Sequence, residues 1–358
     1  MRENRGLRGS ALGTLIALAF LSAACSGAHA SKASSPPPPS PAATGAASPT
    51  PGAAIGPTPT SSATPVEGFI LGQFDVAQPQ GFVAAFGSMW VPGHHDGTIT
   101  RIDAQTNQVV AVIQGVGYQA QDVTAGDGSV WVPASGADYI ARIDPESNRV
   151  TSRLKVGAVS DVEFGFGSLW AATKDMRLLR VDPGSERVVA TFQVGPKVSN
   201  ECNNGPAITA KWVWVTVCDT GMLVQVDPRS NKIVRQLHIS SEFGSPNGGG
   251  AVASGDQLWD VFPGAVARLD PDTGKILLQA PLGAEQAGGG FMAVDHGTLW
   301  LGGRGILTAF DAKTLRVLAT YEVTGPGGEV IPSVGFGSVW VEVYELSQVT
   351  RFAFPAAG

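Results

Sequence analysis

The sequence predicts an all-β protein built from many short strands, and three observations carry that reading. Gly 46 and Pro 25 in 358 residues, with only 15% charged residues, exclude a coiled coil or helical bundle, which needs far more Glu, Lys and Leu. A hydrophobic share of 43% excludes a wholly disordered chain. From residue 67 one pattern returns seven times, around Trp90, Trp131, Trp170, Trp214, Trp259, Trp300 and Trp340, at spacings of 41, 39, 44, 45, 41 and 40 residues. A fixed period near 40 with strand-like units predicts one seven-bladed β-propeller over residues 67–358, not the two domains that length alone suggests.

Residues 1–24 read as an export signal. Arg2, Arg5 and Arg8 give a positive start, and Ala11 to Leu21 form an apolar run too short to span a bilayer. Leu21-Ser22-Ala23-Ala24-Cys25 resembles a bacterial lipobox, in which Cys25 is lipidated and becomes the membrane anchor. Ala28-His29-Ala30 offers the alternative, cleavage at Ala30 and free secretion. Residues 25–66 are Pro, Ala, Ser, Thr and Gly with almost no charge, a composition that cannot bury enough surface to offset chain entropy. They are expected to be a disordered linker that holds the domain on the extracytoplasmic side of a bacterial cell membrane.

Each unit reads as four strands. In the first these are Gly81–Phe86, Met89–Pro92, Thr98–Asp103 and Gln108–Gln114. The Trp lies on the second strand and is expected to pack between neighbouring units. About a dozen residues later comes a second anchor, as in Arg101-Ile-Asp103, Arg142-Ile-Asp144 and Arg180-Val-Asp182; the seventh copy departs from it, with Arg351-Phe-Ala353. Asp, Asn, Ser and Thr crowd the following turn, as Asx-turn chemistry requires. The seventh unit ends after its third strand, while Gly68–Val76 is a spare strand before the first unit. Joining the two closes the ring and removes an open edge.

The repeated G-x-G-S-L-W-V followed by R-I-D-P-x-T-N-x-V resembles the YVTN-type and streptogramin (virginiamycin B) lyase-like bacterial propellers. The resemblance covers all seven units and implies the fold, on which binders, sensors and enzymes all occur. In the lyases it implies elimination by a His general base with Mg²⁺ nearby, the His lying in a late blade. Here the loops of units 5 to 7 on the corresponding face carry no His, and no catalytic residue transfers.

The connections between fourth and first strands, and between second and third, share one face and vary in length, so a site is expected there. That face is acidic. Its candidate binding residues are Asp161, Glu163, Lys174, Glu201, Asp219, Glu242, Asp260, Glu285, Arg304, Glu329, Tyr344 and Glu345. The opposite face carries Arg149, Arg187, Arg229, Lys232, Lys275, Lys313 and Arg316, which predicts a charge-segregated disc. Ca²⁺ or Mg²⁺ would suit such carboxylates, although no EF-hand-like spacing occurs. His94 and His95 reach the acidic face. Side by side in an extended segment, they are expected to point opposite ways. With Asp96 they are the candidate general-base group. Cys202 and Cys218 flank one hairpin, and in an exported protein a disulfide is expected. With 24 Lys+Arg against 30 Asp+Glu and no basic run, nucleic-acid binding is not expected. The reading is a monomeric lipoprotein that binds a ligand or envelope protein, cationic by its charge, without catalysis. The alternative is a divalent-cation-dependent enzyme of the streptogramin lyase or lactonase type.

Overall fold

The computed structural model describes residues 63–196, 205–217, 220–239, 250–262, 264–286, 290–325 and 327–353. The chain divides into two units. Met1–Pro49 lies outside the described residues, and Thr50–Gly358 holds the propeller. The export signal, Cys25, Ala30, Cys202 and Cys218 therefore all lie outside the described residues. Among the described residues no helix is long and apolar enough to cross a membrane.

Seven sheets follow one another along the chain as blades 1 to 7. Blade 1 is Val83–Ala85, Ser88–Gly93, Thr98–Asp103 and Gln108–Ile113, an antiparallel meander from the innermost strand outwards. The other innermost strands are Thr124–Gly126, Val159–Gly165, Pro206–Ile208, Val252–Ser254, Met292–Asp295 and Val330–Gly335. The ring closes as expected. Ile70–Asp75 pairs antiparallel with Gln348–Phe352 and completes blade 7. One strand was not expected: Thr64–Pro65 runs parallel to Val317–Glu322 and gives blade 6 a fifth strand. Val66 behind it is buried against Trp300 and Tyr321. The fold thus takes in Thr64–Val66, residues whose composition assigns them to the linker.

The motif positions divide the labour. In Phe86-Gly87, Asp127-Gly128, Phe166-Gly167, His296-Gly297 and Phe336-Gly337 both residues have positive φ, the two-residue turn whose twist matches a hairpin. The second position needs glycine, and no atom lies within 4 Å of where a Cβ on Gly87 would sit. The next serine is buried, and its hydroxyl accepts from the anchor arginine: Arg101 Nε to Ser88 (2.9 Å), Arg142 to Ser129 (2.8 Å), Arg180 to Ser168 (2.9 Å) and Arg351 to Ser338 (2.9 Å). Each of these guanidinium groups lies over its blade's tryptophan, 4.7–5.2 Å from the ring centre. Each then reaches across to a turn carbonyl of the next blade: Pro145 (2.6 Å), Pro183 (3.2 Å), Pro228 (2.5 Å) and Ala104 (2.5 Å). Blades 4, 5 and 6 lack the serine, and in blades 4 and 5 the tryptophan itself reaches over, Trp214 Nε1 donating to Pro271 O (3.0 Å) and Trp259 Nε1 to Ala312 O (2.8 Å).

The core is therefore the set of blade interfaces. Each of seven apolar clusters joins two neighbouring blades and holds one repeat tryptophan. All seven tryptophans are buried, which bears out their structural reading. Packing at the seams leaves the centre of the ring open.

Candidate functional site

The open centre is a cavity of about 800 Å³, lined by the innermost strand or its approach in every blade. Its wall has two halves. Blades 7, 1, 2 and 3 supply its polar side chains, Glu329, Glu342, Gln80, Gln121, Asp122, Ser160, Asp161 and Glu163, interleaved with apolar ones such as Phe82, Val162 and Ile331. Blades 4, 5 and 6 supply glycines, Pro206, Ala251, Val252, Phe291, Met292 and Val294. No Lys, Arg or His is among the described lining residues.

Three carboxylates, of which Glu342 and Asp122 line the cavity, tie neighbouring blades together. Innermost strands splay apart and leave backbone N–H groups that a buried site must satisfy. Glu342 accepts from Gly81 N through both oxygens, at 2.9 and 3.0 Å, tying blade 7 to blade 1. Asp122 Oδ2 accepts from Val162 N at 2.7 Å, tying blade 2 to blade 3. Asp260 accepts from the Thr216 hydroxyl (2.8 Å) and from Val261 N (2.9 Å), tying blade 5 to blade 4. Asp260 is 0% exposed, so it is not on the loop face where the sequence places it. It sits on the second strand with its side chain turned into the blade seam.

Burial dominates the electrostatics. Desolvation pushes Glu342 up to about 8, and Asp260 and Glu163 up to about 7. Asp161 rises to about 6 for the same reason. Asp122 lies well above the ordinary carboxylate range, first through burial and then through the neighbouring Asp161. Asp161 and Glu163 keep part of their surface toward the channel, and with Glu329 they form its acidic wall.

The rim is aromatic as well as acidic. His94 meets His95 edge to face, ring centres 5.6 Å apart, and meets Tyr344 at 6.2 Å; His95 meets Tyr118 at 6.0 Å. The expectation that the two histidines point apart is thus corrected. Residues 94–97 form a turn, not an extended segment, and the turn swings the rings together. Burial holds His94 below its ordinary value, and His95 and Lys174 add to this; the Ala120 backbone works against it. Asp96 does not pair with the histidines. Its Oδ1 accepts from Thr98 N (3.2 Å) and the Thr98 hydroxyl (2.8 Å). Among the described residues no three His, Cys, Asp or Glu side chains are grouped so as to hold a metal ion.

The remaining candidates scatter around the same rim. Glu345 Oε2 accepts from Glu329 N at 3.2 Å, and Tyr344 begins the short turn that carries both Tyr344 and Glu345. Arg304 bridges Glu329 through the backbone, and its N–H donates to Glu285 O at 2.9 Å. Lys174 donates its backbone N–H to Ala158 O at 3.0 Å. Glu201, Asp219 and Glu242 lie outside the described residues. The opposite face is not basic. Asp103, Asp144, Asp182, Asp227 and Asp311 cap its turns, and hydrogen bonds from the turn residues hold all five below their ordinary value. They offset the arginines and lysines there, so the disc is acidic on one face and mixed on the other. Aligning the seven repeats on their tryptophans would have shown the two-halved channel wall, because Asp122 and Asp161 stand where blades 4, 5 and 6 have Gly205, Gly250 and Phe291.

No family model and no curated protein matches this sequence. Solved structures match in fold. Virginiamycin B lyase from Staphylococcus aureus aligns with a TM-score of 0.65 and 15% identity, over 79% of this chain and 98% of that one. Kuenenia stuttgartiensis hydrazine synthase aligns at 0.64 and 15%, over 82% and 99%. The β-propeller domain of Myceliophteria thermophila Cps50 (Swd1) aligns at 0.64 and 12%, over 80% and 99%. At such identities the likeness establishes the seven-bladed propeller and nothing about activity.

Proposed function

We propose that this chain is an exported propeller, tethered to the membrane through Cys25, that binds a cationic ligand or the basic segment of an envelope protein in its channel mouth without catalysing a reaction. One observation carries the reading: the described channel wall holds carboxylates on one side, apolar groups on the other and no basic side chain. Such a concave acidic wall concentrates cations. The apolar half suits a ligand with an aliphatic body behind its charge. Among the described residues Asp96, the candidate partner of the rim histidines, is engaged with Thr98 instead, which favours binding over acid–base chemistry.

Titration calorimetry of the full chain with a lysine-rich peptide and with a polyanion of matched length tests the binding. The peptide should bind, more weakly as salt rises, and Asp161→Asn with Glu163→Gln should weaken it about tenfold. Equal binding of the polyanion would overturn the reading. The anchor is tested separately by membrane fractionation. Cys25→Ala should move the protein to the soluble fraction, and an unchanged distribution refutes lipidation.

A further inference from the structure

Among the described residues, three side-chain atoms are fully buried without a hydrogen-bond partner: Gln80 Oε1, His94 Nδ1 and Glu329 Oε1. A buried polar atom left unpaired is costly, and each one asks what completes it. All three belong to blades 7 and 1, Glu329 to the approach of blade 7 and Gln80 and His94 to blade 1. Gln80 and Glu329 both line the cavity. Gln80 precedes Gly81, whose N–H is held by Glu342, and Glu342 in turn feels the charge of Glu329. His94 donates its backbone N–H to Gln78 O (3.0 Å), and its ring lies against Tyr344 on the blade 7 side.

The chemistry of the three atoms agrees. Gln80 Oε1 and Glu329 Oε1 are acceptors, and His94 Nδ1 accepts when the ring proton sits on Nε2. The Glu329 side chain has no ion pair among the described residues; burial and then the neighbouring Glu345 raise its carboxyl, and Arg304 works against them. Among the described residues no hydrogen bond reaches these three acceptors, although Lys174 acts on His94 and Arg304 on Glu329 by charge, so a charged donor group seated between them would complete the seam.

We propose that this seam is a subsite for a primary ammonium, the end of a lysine side chain or of a small alkyl diamine, with Gln80 and Glu329 receiving its N–H bonds and Tyr344 and His94 flanking it. The proposal rests on the cation-binding reading above and assigns its specificity. A trimethylated ammonium has the same charge but no N–H to give, so it separates hydrogen bonding from plain electrostatics.

The experiment compares a pentalysine peptide, its ε-trimethylated twin and cadaverine by calorimetry on the full chain. Pentalysine should bind about tenfold more tightly than the twin, the loss expected for buried bonds to a charged donor. Gln80→Leu and Glu329→Gln should shrink that ratio toward one, while their melting curves report whether each variant folds. If cadaverine matches the peptide per ammonium, the natural source is a small amine; if only the peptide binds, it is a protein segment. Equal binding of peptide and twin by the unaltered chain overturns the subsite, the acceptors being met by water, yet leaves cation binding intact. Failure of every cation to bind overturns both.

Discussion

At the residue scale, the departure of the seventh repeat is explained by what each motif position does. In Arg351-Phe352-Ala353 the arginine stays and the aspartate is gone. The aspartate of the other copies accepts from its own turn, as Asp103 Oδ1 does from Thr106 N at 2.8 Å. Blade 7 has no such turn, because its outer strand arrives from the N-terminal side, so nothing there needs capping. The arginine is still needed, because its partners belong to the next blade. Arg351 donates to Ala104 O (2.5 Å) and Asn107 Oδ1 (2.6 Å), joining the last blade to the first, and is only 7% exposed. Arg351→Met should lower stability by about 2–3 kcal/mol, since it removes charge-assisted bonds and strands buried acceptors. Arg351→Lys should not restore the loss, because an ammonium cannot lie flat on Trp340 and fork to three groups at once. Urea midpoints of the two variants check this, and a cost below about 0.5 kcal/mol would place the latch elsewhere.

At the element scale, the N-terminal segment is a strap across two blades. Thr64–Pro65 lies on the edge of blade 6, Glu67–Phe69 turns, and Ile70–Asp75 completes blade 7. Phe69 packs edge to face on Tyr321 of blade 6, and Phe74 stacks on Trp340 of blade 7 at 5.9 Å. The two parts differ in weight. A chain starting at residue 68 loses the two-residue pairing and the buried Val66, about 1.5–2 kcal/mol of apolar burial. A chain starting at residue 77 also loses Phe74, about 3–5 kcal/mol by itself, and bares the Gln348–Phe352 edge. The first should stay monomeric and melt slightly earlier. The second should form oligomers on size-exclusion chromatography, and a peptide of residues 63–77 added in trans should rescue it. Monomeric behaviour without the peptide would mean that closure depends on the other seams. This strap also marks what was legible in the chain. The closing strand could be read because Gly68–Val76 alternates like every other outer strand. The fifth strand could not, because a two-residue parallel pairing has no period and Pro65 reads as linker. The tryptophan, glycine and Asx positions were legible, since each obeys a local rule that most or all of the seven repeats share. The site was only half legible. Loop carboxylates can be counted in sequence, but whether Asp260 faces solvent or a seam, and whether His94 meets His95, is decided by which way a turn swings its side chains.

At the scale of the whole molecule, a ring that buries acids around an open centre has a defined dependence on pH. Glu342, Asp260, Glu163 and Asp161 titrate in the folded state at about 8, 7, 7 and 6, against 4.5, 3.8, 4.5 and 3.8 as ordinary values. Between the ordinary and the raised values the folded state holds more protons than the unfolded chain, so stability falls as pH rises. The contribution of these four groups is fully present below about pH 4, declines through the window from about 4 to 8, and is gone above it. The turn aspartates act in the opposite sense. Asp103, Asp144 and Asp182 are held below their ordinary value, so their stabilisation is present at neutral pH and is lost only as the pH falls below about 4. The two limbs meet near pH 4, and together they place the maximum at about pH 4 to 5. Melting temperature should therefore rise by several degrees from pH 8 to pH 5 and drop again below pH 4. Glu342→Gln with Asp260→Asn should flatten the upper limb and leave the acid limb unchanged, because neither residue touches a capped turn. A bound cation should act most strongly at pH 8, where the channel carboxylates are charged and mutually repelling, and hardly at all at pH 5. A melting temperature that stays level between pH 5 and 8, with or without a lysine peptide, would show that the buried carboxylates are already neutralised by something other than protons.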